Sequence, residues 1–438
     1  MTMLLVAALG LAALLAGLAL TTIVPRDARL GVTLALGVGL LFGATSRNVP
    51  ETIRDGTLVV ATVAVLIAAL LSPRPLHSRR APFGVLAAFF TVMVVTTLAM
   101  NPEAQNLVVR ISVVSIAFAF AAGRLERRGL AVLLDGLSLL AVIEAVLGAI
   151  EFFVTGEPIP WGRRVAEDGS FFDDTNKLLG GSSLRVQGTT EHPIPYAVVL
   201  LVGALALGVR WAAHASLLRV AAVALIGLGL VLSGTRSAIV ALALGGAYLV
   251  LSSEASTRVL RVTVVALGGL VGAAVFLPVI ADAVSTLLSS GSYENRAGAL
   301  ESVPRLLGQD FAHVLLGNGA GSEPGLYANG LLPQTGFQNV DNQLVTSLAT
   351  TGVLGAGLLI AAFLTGFASA ARPGRVLILA LATMLFSFDY LAWSSMAALM
   401  AVAICLPRHD GEPAPSRSTT KAAGLTSASK NRLESTRL

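Results

Sequence analysis

Runs of roughly 15–25 apolar residues recur along most of this chain, and that repetition constrains the fold more than any single motif. A helix needs about 20 residues to cross the hydrocarbon core of a bilayer. The candidate spans are 3–24, 30–45, 56–72, 83–99, 107–122, 130–154, 194–209, 220–232, 238–251, 262–281 and 343–366. A last apolar stretch, 376–404, is too long for one span and too short for two. Ser387-Phe388-Asp389-Tyr390 interrupts it, which predicts two short helices meeting at a turn. The expected fold is an all-α, polytopic membrane protein with about 12–13 transmembrane helices. Hydrophobic residues at 55%, charged residues at 13% and a mean hydropathy of +0.79 exclude an ordinary soluble domain. No short alternating segments indicate a β-barrel.

The charges set the expected orientation. Loop 73–82 carries Arg74, Arg79 and Arg80, and loop 123–129 carries Arg124, Arg127 and Arg128. Arg210 and Arg219, Arg258 and Arg261, and Arg372 and Arg375 mark three further basic loops, whereas 101–106 has neither Lys nor Arg. Basic loops face the cytoplasm, so 155–193, 282–342 and the turn at Gly234–Arg236 are expected outside it. The net charge of +5 follows from this distribution and calls for no nucleic acid. Met1 to Val24 lacks a basic n-region and reads as an uncleaved first span. The single cysteine, Cys405, leaves no disulfide framework and no cysteine metal site.

The chain therefore divides into N-terminal spans (1–154), a first external loop (155–193), spans with a recessed turn (194–281), a large external loop (282–342), C-terminal spans (343–406) and a basic, disordered cytoplasmic tail (407–438). The large loop holds six acids against Arg296 and Arg305, with apolar anchors such as Leu306, Leu307 and Phe311. It is expected to form short helices packed on the membrane surface. Loops of such length are usually functional or disordered.

The recessed turn is Ser233-Gly234-Thr235-Arg236-Ser237. The hairpin from Val220 to Leu251 is shorter than two full spans, so Arg236 sits at membrane depth. Such a guanidinium costs about 2.5–3.5 kcal/mol at a helix centre on insertion scales. It either faces a cavity or anionic partner, or snorkels to headgroups while capping the hairpin.

Further features fall on the same external side. Leu184-Arg185-Val186-Gln187-Gly188 and Glu191-His192-Pro193 end the first loop. Asn295-Arg296 and Gly317-Asn318-Gly319-Ala320-Gly321 lie in the large one. Val340-Asp341-Asn342-Gln343-Leu344 opens the next span, with Gly352 and Gly355 behind it. Singly, each has a plain reading: Arg296 as surface, the glycine run as loop, Asp341 as a helix N-cap.

In this order and spacing the features resemble the bacterial O-antigen ligase and polymerase family of membrane glycosyltransferases. That family carries an Arg–x–x–Gly and Pro element before a span, then a Ser/Gly–x–Arg–Ser–Ala turn. A large periplasmic loop follows, with an Arg near its start and a Gly–x–Gly element, and a polar pair leads into a Gly-containing span. The matching residues here are Arg185 to Pro193, Ser233 to Ala238, Arg296 with Gly317 to Gly321, and Asp341-Asn342 with Gly352. The resemblance covers roughly 180–366. It implies a GT-C-like enzyme of the cytoplasmic membrane that takes a glycan from an undecaprenyl-diphosphate carrier and passes it to a glycan or lipid acceptor hydroxyl outside the cytoplasm.

The residue chemistry is compatible with that implication. Guanidinium groups bind phosphate oxygens in bidentate fashion and stay charged, so Arg185, Arg236 and Arg296 are candidates to neutralise a departing diphosphate. Asn342, Gly317, Gly319 and Ser237 are candidates for supporting the site. No Asp–x–Asp element lies in an outer loop and no His/Glu spacing suits a metal, so metal-independent transfer without a cofactor is expected. Acceptor activation needs a base. Family members often have a His before the span after the large loop, where this chain has Asp341-Asn342. Asp341, His192 and His313 are the alternatives. Glu144 and Glu151, seven apart in one span, lie near one helical face and either line a cavity or mark the outer interface. The competing reading is a multi-pass transporter or flippase of a lipid-linked or anionic substrate. That reading predicts inverted repeats and broken helices with midplane polar groups, and the sequence shows no internal repeat.

Overall fold

The computed structural model describes residues 23–44, 48–72, 80–159, 161–163, 175–181, 183–210, 217–252, 298–334 and 340–408. Its helices, all within the compact unit that runs to Pro407, are α1 (Arg26–Ala44), α2 (Glu51–Leu70), α3 (Arg80–Met100), α4 (Gln105–Gly123), α5 (Arg127–Ile150), α6 (Pro193–Arg210), α7 (Leu217–Ser233), α8 (Arg236–Leu251), α9 (Val303–Leu307), α10 (Phe311–Leu316), α11 (Glu323–Ala328), α12 (Gln343–Ser369), α13 (Arg372–Met384) and α14 (Ser394–Ile404). No strand occurs among the described residues, where one isolated bridge joins Thr175 and Leu184. The candidate spans 3–24 and 262–281, Arg296 and the tail beyond Arg408 lie outside the described residues.

Seven of the described helices are long and apolar enough to cross a bilayer, and α7, α8 and α14 are shorter apolar helices. Their outer faces require an apolar solvent. Along α2 alone Val59, Val63, Ile67 and Leu70 are exposed, and α5 adds Leu139, Ile143 and Val146. Faces like these belong in lipid, where every backbone group must be satisfied within its own helix. The chain is thus a membrane-embedded helical protein. α6 is the exception, with most of both faces buried from Pro193 to Leu207, so it is the hub of the bundle. It packs against α5, α7, α8 and α13. Gly203 lets α5 approach closely, since a Cβ there would come within 2.1 Å of the Ala141 side chain.

The helices share two ends. At one, Arg124 donates to the Ser72 carbonyl (2.8 Å), Arg128 pairs with Asp27 (3.5 Å), and Arg219 donates to the Arg210 carbonyl (3.1 Å). There too Arg372 donates to the Ser252 hydroxyl (2.9 Å). These bonds join the ends of eight helices, α1, α2, α4, α5, α6, α7, α8 and α13. At the opposite end Asp55 of α2 meets Arg110 of α4 at 2.8 Å. The segments that precede α6 and α12 enter the bundle at that second end.

Candidate functional site

The turn between α7 and α8 is stitched to the segment that precedes α6. Gly234 has φ +65, which lets the chain reverse within a few residues. The Asn176 amide donates to the carbonyls of Val231 and Leu232 (3.0 and 2.9 Å), and the Val186 amide also reaches Leu232 (3.1 Å). These bonds satisfy carbonyls that the end of α7 leaves open. Arg185 donates through Nε to the Ser233 carbonyl (2.8 Å) and through Nη2 to the Thr235 hydroxyl (3.0 Å). Thr235 in turn donates to the Pro193 carbonyl (3.3 Å). Arg185 therefore braces the turn that presents Arg236, and the two guanidinium-bearing segments are adjacent. Among the described residues the Ser237 hydroxyl, next to Arg236, finds no hydrogen-bond partner.

Glu144 and Glu151 hold the other side of this segment. Both carboxylates are buried, at 2% and 3% exposure. Glu151 accepts from the amides of Gln187 (3.1 Å) and Gly188 (2.9 Å); Glu144 accepts from the Thr189 amide (3.0 Å) and from its hydroxyl. They fold the loop onto α5. Gly188 is required there, because its φ is +57 and a Cβ would sit 2.4 Å from Glu144 Oε2. Just beyond, Glu191 has φ +66, the one non-glycine residue with positive φ among those described. That conformation costs on the order of 1–3 kcal/mol and is typical of segments over-determined for a purpose.

The strained residue delivers His192. The Ile194 amide donates to His192 Nδ1 at 3.2 Å, and the ring lies 5.8 Å from that of Trp393. Trp393 stacks on Phe388 (centroids 5.0 Å, planes 20° apart), and both flank Asp389 in the turn between α13 and α14. This turn is fastened to the start of α12: Gln343 Oε1 accepts from the Leu391 amide (3.1 Å), and the Gln343 amide donates to the Leu385 carbonyl (2.8 Å).

Asn342 is the N-cap of α12, its side chain accepting from the amides of Leu344 and Val345 (3.0 and 3.1 Å). The capping role is thus filled without Asp341, which is half-buried beside it. Tyr327 of α11 packs in one apolar cluster with Val340 and Val345, which brings Glu323, four residues earlier, to the same end. Burial raises the Glu323 carboxyl above the ordinary range. Burial, together with the charges of Asp341 and Glu323, raises the Tyr327 phenol. His313, by contrast, is on the exposed α10, bound to Asp310, whose side chain caps that helix. The bond from His313 holds Asp310 below its usual range.

The glycine run is a plug in a broken helix. Gly352 has φ +66 and ψ −170, which interrupts α12 and frees the carbonyls of Ala349 and Thr350. The amides of Asn318 and Gly319 take both, each at 2.9 Å. Ala320 then ties this segment to α3 through the Thr97 hydroxyl (3.0 Å) and the Asn101 amide (2.8 Å). Gly317 and Gly319 thus belong to the plug that fastens the break in α12 to α3.

Arg185, the turn that carries Arg236, His192 and the start of α12 that carries Asp341 and Asn342 are consequently linked at the non-basic end by hydrogen bonds, ring contacts and short stretches of chain. Sequence reasoning did not single out Tyr327 or Trp393, and it read Asp389 only as part of an interruption and Glu323 only as one acid of the large loop. Asp389 left a signal, an acid inside an apolar run. Among the described residues no group of three His, Cys, Asp or Glu side chains is arranged to hold a metal ion. No protein-family model matches the chain, and no curated protein matches it.

Proposed function

We propose that this chain is a multi-pass, GT-C-like membrane glycosyltransferase of the O-antigen ligase and polymerase kind, acting at the outer face of the cytoplasmic membrane. It transfers a glycan from an undecaprenyl-diphosphate donor to an acceptor hydroxyl. The observation that carries this reading is the connection from the Arg185-braced Arg236 turn, through Pro193 and His192, to Trp393 and the start of α12. A cationic half suited to a leaving diphosphate and a half bearing carboxylates suited to acceptor activation are thereby joined.

In this mechanism Asp341 takes the proton of the acceptor hydroxyl as its oxygen attacks the anomeric carbon. The bond from that carbon to the phosphate oxygen breaks, and the electron pair leaves with the undecaprenyl diphosphate. Arg236 stabilises the developing charge, joined by Arg296, while Arg185 fixes the turn. The base assignment rests on tautomer geometry. His192 Nδ1 already accepts the Ile194 amide, so the neutral ring carries its proton on Nε2 and is a donor at that edge. Asp341, which Asn342 relieves of capping, takes the role of base in this mechanism. The three arginines need no metal to perform their part.

Purified variants in nanodiscs test these roles. Asp341→Asn should lower transfer by roughly 10²–10⁴-fold, the usual contribution of a general base, while donor binding persists. Arg236→Ala and Arg236→Lys should both weaken transfer, because a lysine lacks the bidentate fork. Full transfer by both arginine variants at normal expression would remove the diphosphate role.

A further inference from the structure

Trp393, in the turn between α13 and α14, is half-buried and keeps part of its indole open. Phe388 stacks on one face of it, with centroids 5.0 Å and planes 20° apart. Phe388 is itself buried and packs edge-on with buried Tyr390 (5.1 Å, 79°), whose hydroxyl donates to the Leu381 carbonyl (2.9 Å). Two buried rings thus hold the indole from behind. His192, 5.8 Å away, and Asp389 are likewise half-buried. The same segment links both halves of the site. His192 precedes Pro193, whose carbonyl takes the Thr235 hydroxyl next to Arg236, and Leu391, two residues before Trp393, is bound by Gln343 at the start of α12. Tryptophans of membrane proteins commonly anchor at the headgroup layer, but the lengths of these two helices do not suit that role. α13 and α14 have 13 and 11 residues and rise about 20 and 17 Å from the basic end, short of the ~30 Å core of a bilayer. The indole therefore stops short of the far headgroup layer, beside polar side chains.

We propose that Trp393 is the platform on which the first sugar of the lipid-linked donor stacks, and that this sugar is a pyranose with an open C–H face. The inference rests on the glycosyl-transfer reading and names the residue and the chemistry that hold the transferred ring. In that reaction the anomeric carbon lies between the leaving diphosphate and the base. The ring that bears it must then sit between the Arg236 turn and the start of α12, and Trp393 belongs to the segment that links them. The face of an aromatic ring is the negative part of its quadrupole, and the C–H bonds on one side of a pyranose turn weakly positive hydrogens toward it. Both surfaces are poorly hydrated, so bringing them together also removes apolar area from water. The backing by Phe388 and Tyr390 orders the platform before the sugar arrives, which lowers the cost of binding. A prenyl chain makes no use of the polar rim that His192 and Asp389 supply.

Fluorine NMR of the full chain in nanodiscs, labelled with 5-fluorotryptophan, provides the test. The chain has three tryptophans, and the Trp393 signal is the one lost in Trp393→Phe. That signal should shift on addition of undecaprenyl diphospho-N-acetylglucosamine and stay in place on addition of undecaprenyl diphosphate. Trp393→Leu should lower affinity for the glycosylated lipid relative to the bare one by roughly 2- to 12-fold, the usual worth of an aromatic contact, and Trp393→Phe should keep most of it. Unchanged affinity for the bare lipid shows that each variant is folded. An unmoved signal although the glycosylated lipid binds, an equal shift with the bare lipid, or a wild-type affinity ratio in Trp393→Leu would overturn the proposal. Binding of neither lipid removes the glycosyl-transfer reading and the platform with it, whereas binding of both without a sugar-specific shift removes the platform alone.

Discussion

Gly317 and Gly352 face each other so closely that neither position has room for a side chain. A Cβ on Gly317 would lie 2.5 Å from the Gly352 amide nitrogen, and one on Gly352 would lie 2.6 Å from the Gly317 nitrogen and 2.3 Å from the Leu315 carbonyl oxygen. Both residues also have positive φ, at +78 and +66. The break in α12 and the turn that plugs it are therefore one structural unit.

Alanine at either glycine combines a backbone conformation that L residues avoid with an overlap against main-chain atoms. Gly352→Ala and Gly317→Ala should each destabilise the protein by about 2–4 kcal/mol. Thermal unfolding in nanodiscs should show a clear loss for both, and Gly357→Ala, where a Cβ meets open space, should be nearly neutral.

Glu144 and Glu151 make a second stability prediction. Glu151→Ala leaves the amides of Gln187 and Gly188 without their acceptor, at roughly 1–3 kcal/mol each. Glu151→Gln keeps a carbonyl acceptor and should recover part of that loss. Hydrogen exchange at 187–189 reads the effect locally: protection should fall in the alanine variant and return partly in the glutamine variant.

The apolar runs read from the sequence coincide with helices wherever those residues are described, because hydropathy and span length are local properties. Even the split of 376–404 was legible, since Ser387 to Tyr390 is polar enough to interrupt it. The constellation was legible only as an order of motifs. That Arg185 braces a turn rather than standing apart follows from bonds to residues 48 and 50 positions away, and sequence spacing cannot supply these. The role of Asn342 as cap was hidden because Asp341 beside it is an equally good cap by residue type. Tyr327 meets the start of α12 through packing against Val340, a tertiary relation with no local pattern.

His192 and Asp341 should differ in the pH dependence of transfer. Loss of a general base removes the acid limb of the rate profile, whereas loss of a positioned donor lowers the rate and leaves that limb in place. His192→Gln should therefore be slow with an unshifted acid limb. A limb that disappears with His192→Gln would assign the base to the histidine and contradict the tautomer argument.

The end of the bundle that carries Glu323 should become more stable on mild acidification. Burial raises the Glu323 carboxyl, so the folded protein binds this proton at higher pH than the unfolded chain does. Stability from this group rises as pH falls from neutral through the raised folded value, and levels off below the unfolded value near ~4.3. The Tm difference between pH 7.5 and pH 5.5 should shrink in Glu323→Gln. An unchanged difference would mean that Glu323 is as solvated as an ordinary surface acid.

The central claim is glycan transfer from a lipid-linked donor, and the most direct measurement is the undecaprenyl-linked pool of the native host after deletion of the gene. The account predicts that a lipid-linked glycan accumulates while its surface product is lost. Single repeat units in that pool identify a polymerase, and finished polymer or a complete glycan that never reaches its acceptor identifies a ligase. An unchanged lipid-linked pool together with unchanged surface glycans would contradict glycosyl transfer and return the chain to the transport reading.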